Sequence, residues 1–192
     1  MAFIGGEPQL QVTGPTLQVG EFFVNRGSHR LYIQHAGSAA PTNVSLARFD
    51  TALIVKAANV TLQGPGFRYY VGSAAPHIPT NIDGSNPGKT VVFGKPGGRV
   101  DRCVFFWNGH GGLSLNNDMI VERSQFVSNG WNGMGANSNG SKIRGNYIAY
   151  NNVEGFNTSW GAAGIKLGTS GFTHGRRSRS HVRGVKRYQG VQ

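Results

Sequence analysis

The sequence predicts an all-β chain, a right-handed parallel β-helix (a single-stranded solenoid) with a small N-terminal antiparallel β cap. Three observations predict it. A repeat of 21 to 22 residues runs through the middle of the chain. Glycine supplies 30 of the 192 residues, asparagine is frequent, and only 14% of residues are charged. That composition disfavours a helical bundle, because Gly and Asn are poor helix formers and few i,i+4 charge pairs can exist. Finally, 38% of residues are hydrophobic, 11 of them Phe, which is enough apolar material to bury a core and excludes wholesale disorder.

Taken in order, residues 1–51 read as the cap. LQVTG, TLQVG, EFFV, RLYIQ and NVSLARF are short alternating or β-branched runs separated by Gly, Asn and Ser, the pattern of small antiparallel strands. A solenoid needs such a cap to cover its apolar end. Residues 52–173 read as the coils. In ALIVKAANVTLQGPGF, Ile54 precedes Val60 by six residues, as Leu115 precedes Val121, so Val60 to Leu62 should open an early coil. Val91 to Phe93 should be the strand before Val100. The Pro/Gly/Ser-rich stretch from Gly72 to Gly88 between them reads as a projecting loop.

The repeat itself is seen in VDRCVFFWNGHGGL from Val100, VERSQFVSNGWNGM from Val121 and IRGNYIAYNNVEGF from Ile143. Five columns agree: Val100/Val121/Ile143, Phe105/Phe126/Ile148, Asn108/Asn129/Asn151, Gly112/Gly133/Gly155 and Leu113/Met134/Phe156. Such a period, with several short apolar segments, suits one solenoid turn, each rung stacked about 4.8 Å above the last. The Asn column predicts a turn in left-handed backbone whose amides form a ladder. The Gly column predicts positive φ or close backbone approach. After Phe156 comes an excursion, NTSWGAAG, before Ile165 and Leu167 resume the pattern, and the columns fail near residue 173.

These Asn-x-x-x-Gly-apolar repeats resemble the right-handed parallel β-helix repeats of the pectin-lyase-like superfamily. The segments AFIGGEPQLQV, GEFFV, RLYI and ANVTLQGPGFRYY are similar to the entry region of bacterial secreted members. The resemblance covers about residues 52 to 173. It implies a polysaccharide-binding or polysaccharide-cleaving protein of the extracellular space or cell envelope, of the lyase or glycoside hydrolase type. Because members generally have more coils, it also implies that the chain is the N-terminal portion of a longer solenoid. NGHGGLSL, residues 108 to 115, resembles the Gly-His-Gly element of polygalacturonases, and Gly-Ile-Lys at 164 to 166 their basic motif, but their Asn-Thr-Asp and Asp-Asp motifs are absent.

Candidate chemistry follows from the register. The second position of the three repeats holds Asp101, Glu122 and Arg144, so two carboxylates should lie on adjacent rungs, the separation of a retaining glycosidase pair at about 5–5.5 Å. Crowding would raise the proton affinity of one of them, as a general acid requires. The plainer alternative is a solvated charge ladder with Glu122 paired to Arg144. A lyase would instead use Lys142, Arg144 or Lys166 to take the proton α to a uronate carboxylate. For substrate binding, Trp131 and His110 share one turn column, Trp107 and Tyr150 share another two rungs apart, and Trp160 lies in the excursion. Aromatic faces stack on sugar rings; the alternative is that Trp107 and Tyr150 shield the core edge. Trp131, His110, Trp107, Tyr150 and Lys166 form the candidate substrate-binding set.

Cofactors and metals are not expected: eight carboxylates are scattered, with no ligand spacing for Ca²⁺ or Zn²⁺. No phosphate-loop motif occurs. No apolar run is long enough to span a bilayer and the opening residues lack signal-peptide character. A single cysteine, Cys103, excludes an intrachain disulfide. Of the net charge of +11, six units sit in residues 174–192, on Arg176, Arg177, Arg179, Arg183, Lys186 and Arg187. This segment reads as a disordered basic tail, and the domain itself is not a nucleic-acid binder by charge. An end left uncapped at residue 173 would expose Phe156, Ile165, Leu167 and Phe172 and favour self-association. The competing function class is a non-catalytic structural or interaction solenoid.

Overall fold

A computed structural model describes residues 1–71, 88–136, 138–155 and 162–167. Every helix or strand element among them is a β-strand, and no helix there is long and apolar enough to cross a membrane. Five strands, β1 (Ala2–Ile4), β2 (Glu7–Gln11), β3 (Glu21–Asn25), β4 (Arg30–Gln34) and β5 (Val44–Leu46), form an N-terminal sheet in the order β4-β3-β2-β1-β5. The chain then winds through coils of three strands. The first has β6 (Leu53–Val55), β7 (Thr61–Gln63) and β8 (Gly66–Arg68), and the second has β9 (Lys89–Phe93), β10 (Arg99–Asp101) and β11 (Val104–Phe106). The third has β12 (Gly111–Ser114), β13 (Ile120–Glu122) and β14 (Gln125–Val127). The fourth has β15 (Asn132–Ala136), β16 (Lys142–Arg144) and β17 (Tyr147–Ala149), and β18 (Ala163–Leu167) starts the next. Equivalent strands stack in parallel into three sheets, β16-β13-β10-β7, β17-β14-β11-β8 and β18-β15-β12-β9-β6. The domain is therefore a parallel β-helix with an N-terminal, mostly antiparallel cap.

The interior is built in columns because parallel pairing repeats the same position on every rung. Val100 is in register with Val121, and Val121 with Ile143. Phe67, Phe105 and Phe126 stack face to face, with ring centroids 5.2 and 4.7 Å apart, and Ile148 follows them. Each fully buried side chain of this kind contributes roughly 1.5–3 kcal/mol by leaving water.

The turns need polar closure, since their backbone groups lie inside the stack. Asn108 Nδ2 donates to Asn129 Oδ1, and Asn129 Nδ2 to Asn151 Oδ1, both at 2.9 Å. The same amides donate to the carbonyls of Phe67, Phe105 and Phe126. A second ladder closes the preceding corner: Cys103 N–H donates to Ser124 Oγ, and Ser124 N–H to Asn146 Oδ1. The left-handed backbone is not in the Asn column, as the sequence suggested, but one residue before it, at Trp107, Ser128 and Tyr150 (φ 49°, 52° and 55°). The Asn side chain is needed inside, so its predecessor makes the bend. The Gly column is there for close approach: a Cβ on Gly112 would lie 2.5 Å from the Gly133 carbonyl oxygen and 3.0 Å from Phe105 Cβ.

Three registers differ from expectation. Leu62, not Val60, is beside Val100, and Val55, not Ile54, is beside Phe93. The cause is turn length: seven residues separate Val55 from Leu62 and Phe93 from Val100, against six between Leu115 and Val121. Ile165 and Gly164, not Phe156 and Gly155, are beside Met134 and Gly133, because the strand resumes only after the excursion. In the cap, TLQVG contributes no strand, Ala2–Ile4 does, and β2 and β3 pair in parallel. Most of the Gly72 to Gly88 loop, Phe156, Trp160, Phe172 and the tail lie outside the described residues.

Asn129 occupies a middle rung of the longer ladder, donating and accepting along the stack. Asn129→Ala is expected to cost about 1–3 kcal/mol, the penalty for orphaning buried partners, read as a lower urea midpoint with an unchanged slope. A midpoint equal to that of the parent protein would show the ladder to be energetically idle.

Candidate functional site

Three groups of side chains stand out on the solenoid, and each is set in place by the rung register. The first is a charge rack at the ends of β10, β13 and β16. Asp101, Glu122 and Arg144 are in register, as the sequence indicated. Both carboxylates are nearly covered, with side-chain exposures of 4–5%, whereas the arginines around them are 37–59% exposed. Arg123 Nε donates to Asp101 Oδ1 at 2.8 Å and Arg123 Nη2 to Glu122 Oε1 at 3.2 Å. Arg144 Nε donates to Glu122 Oε2 at 2.7 Å, Arg99 also pairs with Glu122, and Arg102 lies 3.9 Å from Asp101.

These contacts hold both carboxyls below the ordinary range. For Asp101 the hydrogen bond from Arg123 is the largest cause, and for Glu122 the hydrogen bond from Arg144. Neither carries the raised proton affinity that the acid role needs, because cations surround the pair and outweigh the crowding. Four arginines against two carboxylates leave an excess of two positive charges, with the arginine side chains far more exposed than the carboxylates. Chemically this is a rack of oriented cations. Among the carboxyls with a resolved shift, Glu154 alone is pushed up, by burial, beside the α-amino group of Met1.

The second group lies at the corner where the sheet β8-β11-β14-β17 ends. Trp107 and Tyr150 occupy the left-handed position on the second and fourth coils, with Ser128 between them. Tyr150 is 50% exposed, and the Trp107 ring meets Phe106 edge-on at 5.9 Å.

The third group comes together where β9, β12 and β15 begin. His110 and Trp131 share a turn column, and their rings are 4.3 Å apart. His110 Nδ1 lies 2.6 Å from the Gly88 carbonyl oxygen. Between them stands a residue that the sequence analysis missed, Lys89, which is completely buried. Its Nζ is 4.4 Å from the centre of the Trp131 ring and donates to Asn132 Oδ1. Lys89, Gly111 and Asn132 are in register, and a side chain on Gly111 would collide with the lysine. Glycine on the middle rung thus lets the lysine reach across it to the third rung. The repeat alone starts this strand at Val91; Lys89, two residues before a core valine in KTVVF, is the signal that it starts earlier. Burial pushes Lys89 down from 10.5 to about 7, and burial together with the Lys89 charge pushes His110 down to about 4. Lys166 is exposed and stands three positions further along, opposite Gly135, so it is not part of this cluster.

Comparison of the chain with known protein families, curated proteins and solved structures finds no match to any of them.

The buried bases make stability depend on pH in a defined sense. Between pH 7 and 10.5 the unfolded chain carries a proton on Lys89 that the folded chain lacks, so stability rises with pH across that window. Between pH 6.5 and 4 the same logic at His110 makes stability fall as the solution is acidified. Lys89→Met should therefore be more stable than the parent at pH 7, on the order of a few kcal/mol, with the gap closing toward pH 10. Urea titrations at several pH values measure this; a gap that stays constant with pH would mean that Lys89 does not titrate in the folded state.

Proposed function

We propose that this chain is a carbohydrate-binding parallel β-helix, related to the pectin-lyase-like superfamily, that holds an acidic polysaccharide in the extracellular space or cell envelope. The observation that carries the reading is the charge rack. Three of its arginine side chains, 37–57% exposed, are held by two covered carboxylates, and the fourth, Arg102, stands loosely beside Asp101. Oriented arginines on successive rungs suit bidentate pairing with carboxylate or sulfate groups spaced along a linear polymer. The ordering cost of those side chains has been met by folding, which favours binding.

Binding is favoured over cleavage by the same contacts. A glycosidase acid must hold a proton near neutral pH, and the arginines around Asp101 and Glu122 work against that. As a lyase base, Arg144 would have to lose a proton from a guanidinium already engaged with Glu122. Lys142 and Lys166 remain as candidates for that role, each exposed and on a different sheet. A structural solenoid without a ligand is the second reading. What favours it is that the ion pairs and amide ladders run along the stack and satisfy one another, as coil cohesion alone requires.

The test is sedimentation or calorimetry of the purified chain with pectate, alginate and chondroitin sulfate, with dextran as a neutral control. Acidic chains should bind, dextran should not, and added salt should weaken the interaction. Arg102→Ala, which removes a loosely paired guanidinium, should weaken binding about tenfold, equivalent to 1.4 kcal/mol. New reducing ends or unsaturated uronates would replace binding by cleavage as the function. No binding of any acidic chain at low salt by a folded sample would leave the structural solenoid.

A further inference from the structure

We propose that the ligand runs along the helix axis over the outer face of the β8-β11-β14-β17 sheet, with Trp107 and Tyr150 as two stacking platforms. The ligand class this selects is an extended glycan in which every second unit presents the same ring face. The inference rests on the polysaccharide-binding reading and adds to it a location, a direction and a repeat.

The register sets the geometry. Phe106 pairs with Val127 and Val127 with Ala149, so the residues that follow, Trp107, Ser128 and Tyr150, form one column. Their φ values lie within 6° of one another, from 49° to 55°, so the three Cα–Cβ bonds leave the corner in similar directions. The platforms are thus two rungs apart, about 9.6 Å at a rung spacing of 4.8 Å, the advance of two units in an extended pyranose chain. In such a chain, alternate rings are turned over. Units one and three offer the same face to the two aromatic rings, while unit two turns the other way. Ser128, small and buried at 7% exposure, places no third ring between the two platforms.

Three further observations point the same way. A large side chain is an unfavourable occupant of left-handed backbone; the other corner of this sheet uses glycine on two of its four rungs, Gly64 and Gly145, and the rack arginines Arg102 and Arg123 on the other two. Tyr150 gains little from the core in return, being half exposed. Phe106, set edge-on against Trp107, fixes the indole ring. Below Trp107 the column continues to Tyr69, but that ring packs at 4.0 Å against Phe3 of the cap, so the platform row starts at Trp107. Arg102 and Arg123 stand on adjacent rungs at the opposite end of β11 and β14, five residues and so roughly 16 Å of extended strand from the aromatic column.

The experiment measures the affinity of the full chain for β-1,4-linked oligomannuronates of two to six units, an acidic series that extends as a two-fold ribbon. Affinity should step up about tenfold between two and three units, when both platforms are first engaged. Trp107→Ala and Tyr150→Ala should each abolish the step, and Trp107→Tyr should keep it, which separates lost stacking from lost folding. Affinity that grows smoothly with length, or a step that survives in folded Tyr150→Ala, overturns the platform row and leaves the binding reading intact. If polymannuronate and the other acidic polymers all fail to bind the parent chain, the binding reading fails and the platform row falls with it.

Discussion

Parallel pairing at a fixed rung spacing is the constraint from which the rest of this molecule follows. Each strand is only three to five residues long, too short to be stable alone, so it exists because an equivalent strand lies directly above or below it. That arrangement forces like residues into contact. Phenylalanine meets phenylalanine, and an asparagine amide finds its donor and acceptor on the neighbouring rungs. It also forces like charges together unless the column alternates. Here two carboxylates are followed by Arg144 and flanked by arginines from the neighbouring positions. The charge rack is thus a solution to a stacking problem as much as a surface for a ligand.

Much of this was legible in the residues. Columns that recur without gaps can be superimposed by eye, and the Val, Phe, Asn and Gly columns of the second and third coils predict their spatial neighbours correctly. The alignment of Asp101, Glu122 and Arg144, and the contact between His110 and Trp131, follow from the same superposition. The antiparallel runs of the cap were visible as alternation. The errors cluster where the period breaks. A turn longer by one residue shifts Val60 and Ile54 out of the expected columns, and the excursion before β18 moves the last core position forward to Ile165. Turn length is set by local backbone geometry, which a column alignment does not register.

The site was read less completely for a different reason. Proton affinity depends on what surrounds a group in space, and Arg99 and Arg123 belong to columns other than those of the carboxylates they hold. The register paired Asp101 with Glu122 but gave no weight to diagonal neighbours. Lys89 was invisible to the repeat because its column holds Lys, Gly and Asn, three residues with no common chemistry. Their relation is one of volume: glycine is absent bulk, and the lysine side chain fills it.

The left-handed corners have a consequence for how such a molecule changes over generations. At one corner the same bend is made by Gly64, Arg102, Arg123 and Gly145, and at the next by Tyr69, Trp107, Ser128 and Tyr150. The bend is imposed by the ladders inside it, so the outward side chain can change in type, at a backbone cost for any residue but glycine. Core columns are locked to their neighbours, and a change on one rung demands a change on the next. Corner positions are tied less closely, although Arg123 and Tyr69 have taken partners of their own. The solenoid therefore separates heredity of shape from heredity of surface: new chemistry can be tried at a corner, one rung at a time, on a scaffold that does not register the experiment.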